Sequence, residues 1–162
     1  MGSVPGTYVP RYLPRATRRK LARGLSKSRR AYKRGKYVRR PSVRGVRRTG
    51  SRWTGRVRKL YRLPTGRLTL KRLRGATGCR TSTLRKIIRK GKGAYYSSGS
   101  RPNQTPESWG VARLYSALAG GPAAKVDFRE LEAGCPGRGK TMRLARAARR
   151  RKIRRRRRVR LG

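Results

Sequence analysis

All four acidic residues of this chain, Glu107, Asp127, Glu130 and Glu132, fall within one short stretch, in a protein with 50 Lys and Arg among its 162 residues. Outside residues 94–137 every charged side chain is basic, and inside that window Arg101, Arg113, Lys125 and Arg129 balance the four acids. A compact state must overcome this like-charge repulsion, and segments poor in apolar residues cannot offset the entropy lost on ordering. The net charge of +46 therefore confines a packed core to the better balanced middle. It leaves two basic arms that suit a polyanion, while the neutral stretch is expected to fold or to dock on protein.

Apolar residues make up 34% of the chain, below the usual ~45–50%, and Phe128 is the only phenylalanine. The expected organisation is a basic N-terminal arm over residues 1–55, a small helical core over 56–135 and a polybasic tail over 136–162. The fold class is mainly α: about three or four short helices, two of them a helix-turn-helix-like hairpin, with long extended or disordered basic arms. Arg outnumbers Lys by 38 to 12. Guanidinium groups bind phosphate in bidentate fashion and stack on rings, although an Arg-favouring codon bias explains the excess equally well. Two cysteines, Cys79 and Cys135, without any His cannot form a standard zinc site and are no disulfide framework, so reduced thiols are expected. No metal or cofactor is called for. The first residues lack the apolar core of a signal peptide, and no run approaches the ~20 apolar residues of a membrane span.

Along the chain, Val4-Pro5, Val9-Pro10 and Leu13-Pro14 each bias the residue before proline to extended geometry, which predicts an extended arm. Arg15 to Lys33 can be helical, with Leu21, Leu25 and Tyr32 near one face, but its charge predicts ordering only on a partner. Tyr32, Tyr37, Trp53 and Tyr61 interleave with Arg and Lys. This pattern suits single-stranded nucleic acid, and equally suits aromatics that anchor an arm in protein grooves. Val57, Leu60 and Tyr61 form a short helical stripe. Thr69 can cap a helix bearing Leu70, Leu73 and Ala76, with Gly78 just past its end. Ser82 can cap a second helix bearing Leu84, Ile87 and Ile88, with breaks at Gly91 and Gly93. That helix carries Arg85, Lys86, Arg89 and Lys90. Read functionally it is a recognition helix in a groove; the simpler reading is a helical hairpin with a solvated basic face.

After a polar loop from Ala94 to Gln104, Thr105 as N-cap, Pro106 at the first helical position and Glu107 in the first turn mark the strongest helix start. Trp109, Val111, Leu114, Tyr115 and Leu118 follow at helical spacing and are the expected core or docking residues. Asp127 and Glu130 have capping-box spacing. Met142, Leu144 and Ala145 can begin a further helix. Arg149 to Arg158 is nearly all basic, and such blocks stay disordered until they meet a polyanion. Arg85, Lys86, Arg89 and Lys90, with Arg154, Arg155, Arg156, Arg157 and Arg158 of the tail, are therefore the candidate polyanion contacts.

Gly134-Cys135-Pro136-Gly137-Arg138-Gly139-Lys140-Thr141 matches the phosphate-loop pattern letter for letter. The loop needs a buried parallel strand before it and an Asp that helps hold magnesium. The preceding Val126 to Glu132 alternates poorly and no acid follows Glu132, so a Gly-rich hinge is expected. Without His, a general base would have to be a perturbed carboxylate, Cys or Lys, and no partner for one is visible. The chain is not expected to be an enzyme or to bind a small-molecule substrate.

The string KGKGAYYSSGSRPNQTPESWGVARLYS, from Lys90 to Ser116, continues through Gly120-Gly121 to Gly134-Cys135. With Tyr8-Val9-Pro10, the segment Lys27 to Tyr37 and Thr77-Gly78-Cys79, it resembles an uncharacterised family of small basic proteins of nucleocytoplasmic large DNA viruses, with relatives in tailed phages. The Arg richness and the polybasic tail depart from that family. The resemblance implies a virion component without implying a mechanism. The leading expectation is a minor capsid or cement protein whose basic arms contact major and minor capsid proteins and an acidic inner membrane surface or the genome. The alternatives are a histone-like nucleoid protein that binds double-stranded DNA without sequence preference, and a ribosomal or other RNA-bound protein.

Overall fold

The computed structural model describes residues 3–46, 50–151 and 158–161. Among them the helices are α1 (Arg15–Lys33), α2 (Arg52–Tyr61), α3 (Leu70–Thr77), α4 (Thr81–Ser97), α5 (Pro106–Leu118), α6 (Pro122–Val126), α7 (Phe128–Gly134) and α8 (Lys140–Arg150). A single 3-10 turn spans Gly6–Tyr8, and strands β1 (Ser3–Pro5) and β2 (Arg158–Arg160) pair antiparallel with Val4 opposite Val159. The chain is mainly α, as its sequence predicts, with more helices than expected: the arm and tail contribute α1 and α8, and the middle holds six rather than three or four. It divides into two compact units. One holds β1, α1, residues 92–109 and β2; the other holds residues 50–91 and the chain from Gly110 through α8.

In the first unit, the residues before the three prolines are anchors rather than an idle arm. Val4, Val9 and Leu13 are buried with Leu21, Leu25, Val43 and Leu161. This explains why α1 is a full helix where a partner-dependent one was expected. Its like-charged i,i+4 pairs (Arg15 and Arg19, Arg19 and Arg23, Arg23 and Lys27, Arg29 and Lys33) cost ~0.2–0.5 kcal/mol each. Burying Leu21 and Leu25 returns ~1.5–3 kcal/mol apiece, so packing wins. The helix ends in a Schellman motif: Gly35 lies at φ 71°, and Gly35 N–H and Lys36 N–H donate to the carbonyls of Tyr32 (3.0 Å) and Ala31 (2.9 Å). Farther on, Asn103, at φ 56°, donates to the Val43 carbonyl (2.9 Å) and accepts from the Val43 N–H (2.8 Å).

The second unit is built on Val57, Leu73, Leu84, Ile87, Leu114, Leu118, Leu131, Met142 and Ala145. The Thr69 hydroxyl accepts from Arg72 N–H (3.2 Å) and Gly78 closes α3 at φ 70°, as expected. Two expectations fail here. The second helix of the hairpin already includes Thr81 and Ser82, and Gly91 and Gly93 do not break it. A Cβ at Gly91 would lie 2.6 Å from the Gly110 Cα, so this glycine marks where α4 and α5 meet backbone to backbone. The tail is likewise not wholly disordered, because α8 buries Met142, Ala145 and Ala148.

Cys79 and Cys135 form a disulfide across a separation of 56 residues, in place of the reduced thiols expected. Arg80 N–H donates to the Gly134 carbonyl (2.7 Å) beside the bridge. No local signal could reveal the pairing, since it depends on the fold bringing two distant Cα atoms together.

Candidate polyanion-binding surface

Helices α1, α2 and α8 share one construction: an apolar stripe turned inward and a cationic row turned outward. On α1 the row is Arg19, Arg23, Lys27 and Arg30; on α2, Arg52, Arg56 and Lys59; on α8, Arg143, Arg146 and Arg149; all are exposed. At ~1.5 Å rise per residue, neighbours in a row stand ~4.5–6 Å apart along the axis. Phosphates follow each other at ~3.4 Å per strand, so one row can answer about every second phosphate of a strand. Rings pre-orient some of these cations. Arg149 stands 4.3 Å from the Phe128 ring centroid, and Arg52 stands 4.9 Å from that of Trp53.

Asp127 was expected to cap a helix and to balance Lys125 and Arg129, and it does neither. The Asp127 carboxylate is fully buried and makes no capping hydrogen bond. It receives a bidentate grip from Arg113, Nε to Oδ2 at 2.7 Å and Nη2 to Oδ1 at 2.8 Å, and Lys90 Nζ lies 2.9 Å from Oδ1. Lys90 also donates to Glu130 Oε1 at 2.8 Å. Burial opposes the Lys90 charge, but hydrogen bonds to Glu130 and Asp127 and their charges outweigh it and hold its pKa above the ordinary lysine value. The Lys90 hydrogen bond in turn holds the Glu130 carboxyl below the usual range. In the other unit Glu107 lies 3.5 Å from Arg39 and 3.7 Å from Lys92. Its own backbone N–H, then those two cations and the Thr105 hydroxyl, lower its pKa. Asp127 and Glu130 thus face inward, Glu107 pairs locally and Glu132 is exposed, so cations dominate the solvent side.

The candidate residues separate accordingly. Arg85, Lys86 and Arg89 are exposed on α4. Lys90 is spent on Asp127 and Glu130, which corrects its assignment as a polyanion contact. Lys86 lies 3.9 Å from Glu130 and keeps most of its side chain in solvent. Arg154 to Arg157 lie outside the described residues. Arg158 is engaged within β2, where its guanidinium donates to the Ser3 hydroxyl and carbonyl, both at 2.7 Å. Of the expected core residues, Leu114, Tyr115 and Leu118 are buried, Val111 is half-buried against them, and Trp109 meets Tyr8 edge-on at 5.8 Å.

The phosphate-loop letters build something else. A helix, α7, precedes them, and Gly134 is needed because a Cβ there would run into the Thr83 hydroxyl. Thr141 is fully buried, its hydroxyl 2.8 Å from that of Tyr61, and Lys140 Nζ donates to the Leu60 carbonyl at 2.7 Å. Sequence reasoning missed Arg40. Its guanidinium donates to the Tyr95 carbonyl (2.9 Å) and the Ser100 hydroxyl (2.6 Å) and lies 3.8 Å from the Tyr95 ring centroid. Burial lowers its pKa from the ordinary arginine value, partly offset by Tyr95, Tyr8 and Tyr96. Nothing in the basic segment around Arg40 distinguishes it from its exposed neighbours.

Among the described residues no helix is long and apolar enough to cross a membrane. No curated protein and no solved structure matches the chain. Residues 11–130, from ahead of α1 into α7, match a family of unknown function, DUF5824. Because that match takes in most of the chain, leaving out β1, the 3-10 turn, the end of α7, α8 and β2, the protein belongs to this family.

Proposed function

We propose that this protein is a non-enzymatic structural component of a large double-stranded DNA virus particle, acting on the genome side. There its helical faces neutralise nucleic-acid phosphate without reading sequence. The observation that carries this reading is that two of the four acids are withdrawn from the surface, Asp127 against Arg113 and Lys90 and Glu130 against Lys90, while the exposed helix faces offer rows of Arg and Lys. The viral setting rests on the resemblance of the Lys90–Ser116 string. Binding by such rows is driven by counterion release, so affinity for duplex DNA falls steeply with salt and varies little with sequence. Fluorescence anisotropy on unrelated duplexes across a salt series tests this. A shallow salt slope, or failure to bind at low salt, would sink the reading.

One observation favours the shell role expected from sequence. A cleft of about 350 Å³ in the second unit is lined by Leu68, Leu70, Ile88 and Val111 with Arg67 at its edge. It would seat an apolar side chain of a capsid protein. Graded salt and detergent extraction of purified particles separates the two roles: release with the genome supports the first, and retention with the stripped shell supports the second.

A further inference from the structure

Of the four aromatics interleaved with basic residues, three are used within the fold. The Tyr61 hydroxyl donates to the Leu118 carbonyl at 2.8 Å, Trp53 packs on the core of the second unit, and Tyr32 stacks on Tyr96 with rings 4° from parallel. Tyr37 differs, since it is 69% exposed. It is nonetheless held in place. Its ring stands nearly perpendicular to both members of that stack, 5.8 Å from Tyr32 and 5.2 Å from Tyr96, at 75° and 77°. Tyr96 is itself propped by buried Tyr95, whose ring centroid is 5.0 Å away. The backbone approach to Tyr37 is set by the Gly35 turn that ends α1. Lys33, Arg34, Lys36 and Arg39, all exposed, surround it in sequence.

A propped, solvent-facing ring amid cations has a specific chemical complement. The cations attract any polyanion, but an aromatic face gains most from another flat π-surface, and duplex DNA keeps its bases stacked on each other. We infer that Tyr37 is a stacking platform for an unpaired nucleobase, so that the first unit favours single-stranded nucleic acid over duplex beyond what charge alone gives. Base–aromatic stacking tolerates any base, which fits the absence of sequence reading proposed above. The inference rests on that reading, since the backbone of the strand must be held by the surrounding Lys and Arg.

The test compares full-length wild type, Tyr37→Ala and Tyr37→Phe on oligo-dT, oligo-U and a duplex of matched length, by fluorescence anisotropy across a salt series. Tyr37→Ala is expected to weaken single-strand binding about tenfold, leave the salt slope unchanged because no cation is removed, and leave duplex affinity within about twofold. Tyr37→Phe keeps the π-face and should bind single strands like wild type. A loss on both oligo-dT and oligo-U supports stacking on the base alone, and a loss on one assigns that strand as the ligand. Unchanged single-strand affinity with duplex binding intact overturns this inference only, as does an equal loss on duplex. Failure of wild type to bind either form at low salt overturns the polyanion reading as well.

Discussion

Asp127 is the residue on which the second unit should depend most. Replacing it by Asn keeps the shape but removes the charge that faces Arg113 and, together with Glu130, Lys90. Its carboxylate is fully buried, while the Arg113 and Lys90 side chains are 19% and 36% exposed. Removing one partner of a buried ion pair leaves an uncompensated buried charge and costs ~3–5 kcal/mol. The partial exposure of both cations places Asp127→Asn at about 3 kcal/mol, the lower end of that range. Against a total stability of ~5–15 kcal/mol that is a large share. With a urea dependence of ~2 kcal/mol per molar, the unfolding midpoint should fall by about 1.5 M. Glu107→Gln is the matched control, because Glu107 and Arg39 are both more than half exposed and such pairs contribute ~1 kcal/mol at most. Salt separates them further. At 1 M the screening length is ~3 Å, which removes the Glu107 effect and leaves that of Asp127. A loss below about 1 kcal/mol for Asp127→Asn would refute the reasoning, because Lys90 and Arg113 would then have swung into solvent at little cost.

Four other outcomes follow from the same contacts. Glu130 titrates below its ordinary value of 4.5 in the folded state, so its contribution is present above that value and is lost as pH falls through the lower folded pKa. Lys90 titrates above 10.5, so its contribution is present below that value and lost as pH rises past it; urea midpoints measured across pH should show a plateau between, and Glu130→Gln should flatten its acid edge. Reducing the Cys79–Cys135 bridge, which closes a separation of 56 residues, should cost about 4 kcal/mol by chain entropy, read as a lower thermal midpoint in dithiothreitol than in oxidising buffer. Gly91→Ala places a Cβ 2.6 Å from the Gly110 backbone and should destabilise by ~1–3 kcal/mol, against a stabilising change if the site were an open helix position. Duplex DNA in excess at low salt should raise the thermal midpoint, by ~2.7 kcal/mol of linkage at a hundred times Kd, and the rise should vanish at high salt.

Signals carried by adjacent residues were legible from sequence. Thr69, Gly78 and the Thr105-Pro106 start each act within one helical turn, and each stands where spacing put it. The α1 helix was legible as a pattern but not as a stable element. What offsets its charge is Val4, Val9, Leu13, Val43 and Leu161, and the last of these lies at the far end of the chain. Gly91 misled for a related reason. A glycine inside a helical pattern reads as a break until the partner backbone that needs its missing Cβ is known. Asp127 and Glu130 matched a capping box by spacing, yet Asp127 binds Arg113 and Lys90, because a half-buried cation outcompetes a backbone N–H for a carboxylate.

That last competition explains how so few acids suffice. A cation left in solvent is hydrated and screened, so an acid beside it contributes little. A cation carried inward with a packed helix needs a partner, and the acids Asp127 and Glu130 stand where α4 and α5 bring Lys90 and Arg113 inside. Arg40 meets the same need with a carbonyl, two hydroxyls and a tyrosine ring. The fold thus spends Asp127 and Glu130 on the cations it carries inward, while Glu107 and Glu132 stay exposed. The remaining charge stays on the surface, where it costs stability at low salt and is relieved by any polyanion that binds the folded form. On the proposed reading such a chain would be stabilised by the polyanion it binds, and the placement of its acids, which sets how much cationic surface stays open, would bear on binding more directly than the abundance of its bases.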